Sequence, residues 1–530
     1  MAHVDVVYQL FLVPLVLLLL HLASRSLRIS NKQRQAKHPP PSPPGLPIIG
    51  HMHLVGDLPH VSLRDLATKH GHGGGLMLLR LGAVPNLVVS SPRAAQAIMR
   101  RHDHIFASRP TSKLSDDLLY GSSDIGFAPY GEHWRQVRKL VTTHLFTVKK
   151  VQSYRLARQD EVRLVMAKIR EMAAASTAVD ISEMMNTFAN DIVCRAVSGK
   201  FFRAEGRNKL FRELIEINSV MFGGFNLENY FPGLANWLGL LTSWFMSNKA
   251  NEARKRWDEL LEKIISDHET SKHRHGGGAQ QEESDFIDVL LAVQQEYGIT
   301  RDNIKAVLMD MFSAGTDTSS LVLELAMAEL MRNPQLMTKL QAEVRKNTPK
   351  RQEIVEEENL ASMAYLRAVV KETLRLHPPA PLLLPHLSMA DCDVHGYTIP
   401  SGTRVVINSW AISRDPESWE KPEEFMPEKF VDGGSAAAID FKGMDFQFVP
   451  FGAGRRICPG LNFGLATVEI MLANLVYCFD WGLPAGMEED IDMTEVFGLT
   501  VHLKEKLILV PKLPDTVGHA MQAVAKDVTA

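Results

Sequence analysis

Thirteen residues near the C-terminus, Phe448 to Gly460 (FVPFGAGRRICPG), constrain this chain more than any other stretch. A single cysteine, Cys458, stands among Gly452, Gly454 and Gly460, with Arg455 and Arg456 just before it. Glycines let backbone amides come close to the sulfur. A thiolate that ligates a metal needs open access, and positive or N–H character around it to lower its pKa. Arg456 is placed to bind an acidic group of the same cofactor. The bland alternative is a small buried hydrophobe, and it suits Cys194, Cys392 and Cys478, which sit in ordinary contexts. None of the four cysteines forms a C-x-x-C pair, which argues against a disulfide scaffold or structural zinc. No N-x-[ST] sequon occurs, consistent with a reducing, cytosol-facing body.

The rest of the chain supplies an envelope large enough to bury such a site. It has 530 residues, 45% hydrophobic and 22% charged, with a net charge of −3. That is globular composition, and the absence of a basic field argues against a nucleic-acid partner. Apolar residues at i, i+3, i+4 predict helices over Arg155–Ala173, Asn251–Glu269, Arg301–Met331 and Gln335–Lys346. Gly75–Leu81, Leu87–Ser90 and Arg404–Ile407 read as strands. Residues 273–284 and 433–439 read as polar or small-residue loops, and the C-terminal residues from 514 as a loose tail.

At the other end, Val6 to Ala23 is an almost unbroken apolar run near the minimum length for a membrane span. Arg25, Arg28, Lys32, Arg34 and Lys37 follow, while residues 1–5 carry no Lys or Arg. The positive-inside rule keeps the C-terminal side in the cytosol. A cleaved signal peptide would want a basic n-region, which is missing. Residues 1–24 are therefore expected to be an anchor and 25–47 a basic, proline-rich linker, stiffened by Pro39–Pro47 as polyproline II.

Three more motifs carry chemistry. Ala314-Gly315-Thr316-Asp317-Thr318-Ser319 interrupts an apolar helix with an acid and an alcohol, both of which compete with the backbone. Thr318 can bond the Ala314 carbonyl, with Gly315 leaving room. Glu372 and Arg375 share a helix face and can pair. Trp134 and Arg138 in GEHWRQVRKL also share a face, and both can donate to carboxylates. Each is weak alone: a helix break, a solvated pair, an amphipathic helix with a core tryptophan.

Together, in this order, they resemble the cytochrome P450 haem-thiolate monooxygenases. The match rests above all on F-x-x-G-x-R-x-C-x-G from Phe451 to Gly460. The resemblance implies a mainly α fold with small β sheets over residues 48–513. It implies haem b with Cys458 as axial ligand, and Trp134, Arg138, Arg456, Phe451, Gly454 and Gly460 around the cofactor. It places a helix kink over the haem, with Thr318 steadying oxygen and Asp317 relaying protons. Glu372 and Arg375 become a structural lock whose usual third member is arginine. Here Lys429 stands in its place, leaving a weaker lock or a main-chain closure. The reaction implied is insertion of one oxygen atom from O2 into a small apolar substrate. Electrons would come from NADPH through a membrane-bound cytochrome P450 reductase, since the chain has no dinucleotide-binding G-x-G-x-x-G of its own. Arg135, Arg138 and Lys139 form a candidate docking patch, and the expected setting is the endoplasmic reticulum membrane, facing the cytosol. Relatives that rearrange hydroperoxides usually lack the acid–alcohol pair, and a tethered non-catalytic haem protein would not need it. Substrate-facing candidates by family position are Thr111–Phe127, Met221–Leu240, Met309–Ala314, Leu382–Leu384 and Val496–Val501, including Phe222, Phe225, Phe312 and Phe497. The segments Phe106–Pro110, Ala128–Leu140 and Thr143–Ser153 look plant-like. They are most similar to the grass enzymes that hydroxylate indole and indolin-2-one toward benzoxazinoids. Oximes, phenylpropanoids, flavonoids, diterpenes and herbicides are the other plant substrate classes.

Overall fold

The structure is a computed structural model. It describes residues 38–71, 74–199, 207–223, 227–231, 242–274, 284–350, 352–486 and 491–514. The anchor, most of the basic linker, most of the 273–284 loop and the tail from 515 lie outside these residues.

Helices of nine or more residues are α1 (Pro59–His70), α2 (Glu132–Leu140), α3 (Arg155–Ala174), α4 (Ile181–Ser198), α5 (Arg207–Gly223), α6 (Thr242–Arg274), α7 (Phe286–Tyr297), α8 (Arg301–Arg332), α9 (Pro334–Asn347), α10 (Ala364–Leu376) and α11 (Leu461–Cys478). The four helices expected from periodicity are α3, α6, α8 and α9. The strands are β1 (Leu76–Leu81), β2 (Val84–Val89), β3 (Val179–Asp180), β4 (His386–Leu387), β5 (Cys392–Val394), β6 (Tyr397–Ile399), β7 (Arg404–Ile407), β8 (Asp480–Gly482), β9 (Glu495–Phe497), β10 (Val501–Leu503) and β11 (Ile508–Lys512).

α8 is the axis. A reciprocal cap starts it: Thr300 Oγ1 accepts from Asn303 N–H, and Asn303 Oδ1 accepts from Thr300 N–H. Asn333 and Pro334 stop it. From Ile304 to Leu330 it is buried on nearly every side, the state expected of an all-round apolar helix. It packs against α4, α11 and α10. α11 is long and apolar enough to cross a membrane, but two-thirds of it is buried in this core.

The sheets hold the site from outside. The largest runs in the order β1-β2-β7-β4. β2 and β7 pair in parallel, Leu87 opposite Val405 and Val89 opposite Ile407, which ties residues near the N-terminus to the region after α10. β11 lies between β3 and β8, and β9 with β10 makes a separate hairpin. The fold is mainly helical with small sheets.

The lock is complete, and lysine completes it. Arg375 grips Glu372 with two hydrogen bonds of 2.6 and 2.9 Å and donates to the carbonyls of Ser413, Pro422 and Glu424. Lys429 Nζ donates to Glu372 Oε1 at 3.0 Å and to the carbonyls of Lys421 and Glu424. All three side chains are buried. The third place is thus filled by one point contact plus main-chain closure, rather than by a guanidinium fork.

Candidate functional site

α8, α2, the Cys458 loop and the β9–β10 hairpin enclose a mostly apolar cavity of about 370 Å3. Cys458, Thr318, Asp317, Trp134, Arg138, Arg456, Phe451 and Gly460 all line it.

The Cys458 loop is closed by the Cys458 N–H bond to the Phe451 carbonyl at 2.9 Å. Gly454 stands outside the cavity wall. Its φ is +67°, and a Cβ there would lie 2.1 Å from the Met99 carbonyl oxygen, so the loop's path requires glycine. Gly460 differs: a Cβ there would sit 4.0 Å from the Cys458 sulfur, so its absence leaves the approach to sulfur open. Cys458 is exposed, but to the cavity. Burial pushes its thiol up. The N–H groups of Gly460 and Leu461, at the start of α11, and the Arg138 charge pull the other way.

Beside the sulfur is a cluster of cations. Arg456 Nε, Nη1 and Nη2 donate to the carbonyls of Ala107, Ile125 and Ala128 at 2.7, 3.1 and 2.6 Å. Its guanidinium stacks 4.0 Å over the Trp134 ring. Arg138 Nη2 donates to the Ile457 carbonyl at 2.6 Å. Arg109, unassigned by the sequence reading, donates to the carbonyls of Gly126, Leu384 and Pro385. Among the described residues these three guanidinium groups make no carboxylate ion pair. Burial lowers all three; Arg109 and Arg138 push Arg456 down further by repulsion, while the nearby Asp124 charge pulls Arg109 and Arg456 partly back up. The Trp134 N–H donates to the Ile125 carbonyl at 3.1 Å, and its ring lies under Arg456. One expectation changes here. Arg138 turns inward, leaving Arg135 and Lys139 as the exposed members of the expected surface patch.

On α8, Thr318 Oγ1 donates to the Ala314 carbonyl at 2.7 Å, as its spacing suggests. The helix is continuous through this stretch. Gly315 leaves room beside this turn, and α4 occupies it: a Cβ there would lie 2.8 Å from the Val193 Cγ2. Asp317 Oδ2 accepts from the Thr500 hydroxyl.

Of the substrate-facing candidates, Leu119, Ile125, Phe127, Phe222, Met309 and Leu499 are among the cavity residues. Phe127 and Phe222 stack at 4.6 Å. Phe312 instead stacks on Phe211 in the core at 3.8 Å, and Phe497 on His60 at 6.0 Å. Phe225 lies outside the described residues. The sequence reading also missed a buried acid pair at the cavity roof. Asp310 Oδ2 accepts the N–H groups of Ile125 and Gly126 at 2.6 and 3.2 Å, holding that loop onto α8. Burial, then the nearby Asp124, push Asp310 well above the usual carboxylate range; burial raises Asp124 to about 6. A lone carboxylate inside V-L-M-D-M-F was the available signal.

These residues fit haem. A thiol open to the cavity offers one soft ligand, backbone N–H groups support its anion, and three guanidinium groups against a single nearby carboxylate, Asp124, leave an excess of positive charge that suits a cofactor bearing two carboxylates. The comparisons agree. The family model for cytochrome P450 matches residues 40–510. A maize indole-2-monooxygenase is 54% identical over 95% of this chain and 94% of its own length. A maize 3-hydroxyindolin-2-one monooxygenase is 51% identical over 93% and 92%. A zebrafish cytochrome P450 solved with abiraterone superposes with a TM-score of 0.70 at 25% identity, over 87% of this chain and 100% of that one. This chain belongs to the cytochrome P450 family, and it is a haem-thiolate monooxygenase.

Proposed function

We propose that the chain inserts one oxygen atom from O2 into a small apolar plant metabolite of the indole class, with electrons from NADPH through cytochrome P450 reductase. The carrying observation is convergence: the Cys458 sulfur and the Asp317–Thr318 pair line one apolar cavity that Arg109, Arg138 and Arg456 also line. The names of the maize relatives support the indole class. Haem, when bound, supplies the iron chemistry that activates O2. Cys458 is its ligand, held toward the thiolate by the Gly460 and Leu461 N–H groups and Arg138. Arg109, Arg138 and Arg456 bind its carboxylates. Thr318 presents a hydroxyl fixed by Ala314, and Asp317 holds and passes a proton at Oδ2. Phe127, Phe222 and Leu499 orient the substrate and exclude water. Residues 1–24 anchor the protein in the endoplasmic reticulum membrane, 25–47 are the linker, 48–513 the cytosol-facing catalytic domain, and 514–530 a tail.

The test is an absorption titration of the membrane-expressed protein with indole and indolin-2-one. A blue shift of the main haem band at low concentration is expected, with a hydroxylated product on adding NADPH and reductase. A normal haem-thiolate spectrum that neither compound moves would overturn the indole class.

A further inference from the structure

We infer that His502 and Thr500, on and beside β10, form the proton entry that serves Asp317. This rests on the acid–alcohol reading above and adds the route by which the acid is recharged.

Thr500 bridges the two groups. Its hydroxyl donates to Asp317 Oδ2 and lies 3.0 Å from His502 Nε2. His502 Nε2 is also 3.5 Å from Asp317 Oδ2 directly. The two ends of this chain face different surroundings. Asp317 and Thr500 line the cavity, whereas 43% of the His502 side chain is accessible. Three residues therefore connect the cavity to the outside of the β9–β10 hairpin through oxygen and nitrogen atoms alone.

The groups facing His502 favour its charged form. Burial pulls the imidazole down, but the Asp317 hydrogen bond and charge, then Glu324, outweigh it and raise it. Glu324 is itself hydrogen-bonded by Ser182, and Asp180 beyond it is paired with Lys506. Imidazole is the side chain that takes up and releases protons near neutrality.

The transfer balances without electrons. The imidazolium Nε2–H goes to Thr500 Oγ1 as the Thr500 hydroxyl proton goes to Asp317 Oδ2. The carboxylate becomes a carboxylic acid, and the neutral imidazole, which keeps its Nδ1–H, takes its next proton from water at the bare Nε2 once the ring turns that nitrogen to solvent. Asp317 gives that proton up on the cavity side.

The test compares wild type, His502→Gln, Thr500→Val and Asp317→Asn as full-length holoenzymes with reductase. Glutamine can still donate to Asp317 but does not titrate. In His502→Gln, product formed per NADPH is expected to fall about tenfold, below the usual range for a direct acid because water substitutes in part. The fall of wild-type coupling with rising pH should disappear in that variant. Thr500→Val should give a smaller loss in the same direction. A readout free of turnover is the His502 ring titration by NMR, which should move down in Asp317→Asn. Wild-type coupling and pH profile in His502→Gln, with Asp317→Asn impaired, would overturn this inference alone. Unimpaired Asp317→Asn would overturn the acid–alcohol reading beneath it as well.

Discussion

The buried lock around Glu372 and the cation cluster of the cavity wall are built on opposite terms. In the lock, Arg375 and Lys429 close on Glu372, and every donor not used there reaches a carbonyl. In the cavity wall, Arg109, Arg138 and Arg456 have carbonyls but no carboxylate ion pair among the described residues. Partial charges on carbonyls orient a guanidinium without cancelling it. A cluster that neutralises itself is finished on folding and works as structure. One left positive in a low-dielectric wall is completed only by an anion brought from elsewhere. Residue type does not separate structural from binding arginines here; charge balance does.

The largest effect should come from breaking the self-sufficient cluster. Glu372→Ala strands two buried cations, and losing one partner of such a pair costs about 3–5 kcal/mol. The urea midpoint should drop accordingly, with or without haem. Arg456→Met tests the other side. It should weaken haem retention about tenfold or more, since hydrogen bonds to charged groups contribute about 1.5–3 kcal/mol. Because it also strands the carbonyls of Ala107 and Ala128, the polypeptide itself should lose about 1–3 kcal/mol, less than Glu372→Ala, since no carboxylate ion pair is broken. Haem content after gel filtration and the urea midpoint separate the two effects. Full haem content with a large midpoint drop would make Arg456 a second structural lock and dissolve the contrast.

The same contrast explains what the sequence made legible. Cys458, Thr318 and Glu372–Arg375 carry local signatures, because each depends on neighbours three to ten residues away along the chain. The helices α3, α8 and α9 were readable within a residue at most boundaries for the same reason, since periodicity is a local property. Arg109 and His502 were not readable as site residues, and Asp310, though inside the Met309–Ala314 stretch, was not readable as the acid that holds the Ile125 loop. Arg109 reaches carbonyls some 275 positions on, and Asp317 meets Thr500 across 183. Phe312 and Phe497 lie in cavity-forming segments, where any single aromatic is more often an ordinary packing residue, and both pack away from the cavity. One position along a helix or strand decides which way such a side chain points.

The smallest effects concern the lysine in the lock, and they sharpen the charge-balance argument. Lys429→Met should cost about 1–3 kcal/mol, less than Glu372→Ala, because the Arg375 fork survives while the Lys421 carbonyl loses its donor. The pH dependence is more telling. Glu372 balances one of the two cations, so the lock carries an extra positive charge. Lysine can shed that charge; arginine cannot. Burial lowers Lys429 from 10.5, Glu372 pulls it back up, and Arg375 lowers it again, leaving the folded value depressed. Between the depressed value and 10.5, the unfolded chain holds a proton that the folded chain has released, so stability rises with pH. Measured as the difference in urea midpoint between wild type and Lys429→Met, the lysine's contribution should therefore grow from neutral pH toward 10.5. Lys429→Arg, which stays charged throughout, should show no such growth. An identical pH profile for the arginine variant would mean that the lock's odd charge is neutralised by another group, and that its balance differs less from the cavity wall than the geometry indicates.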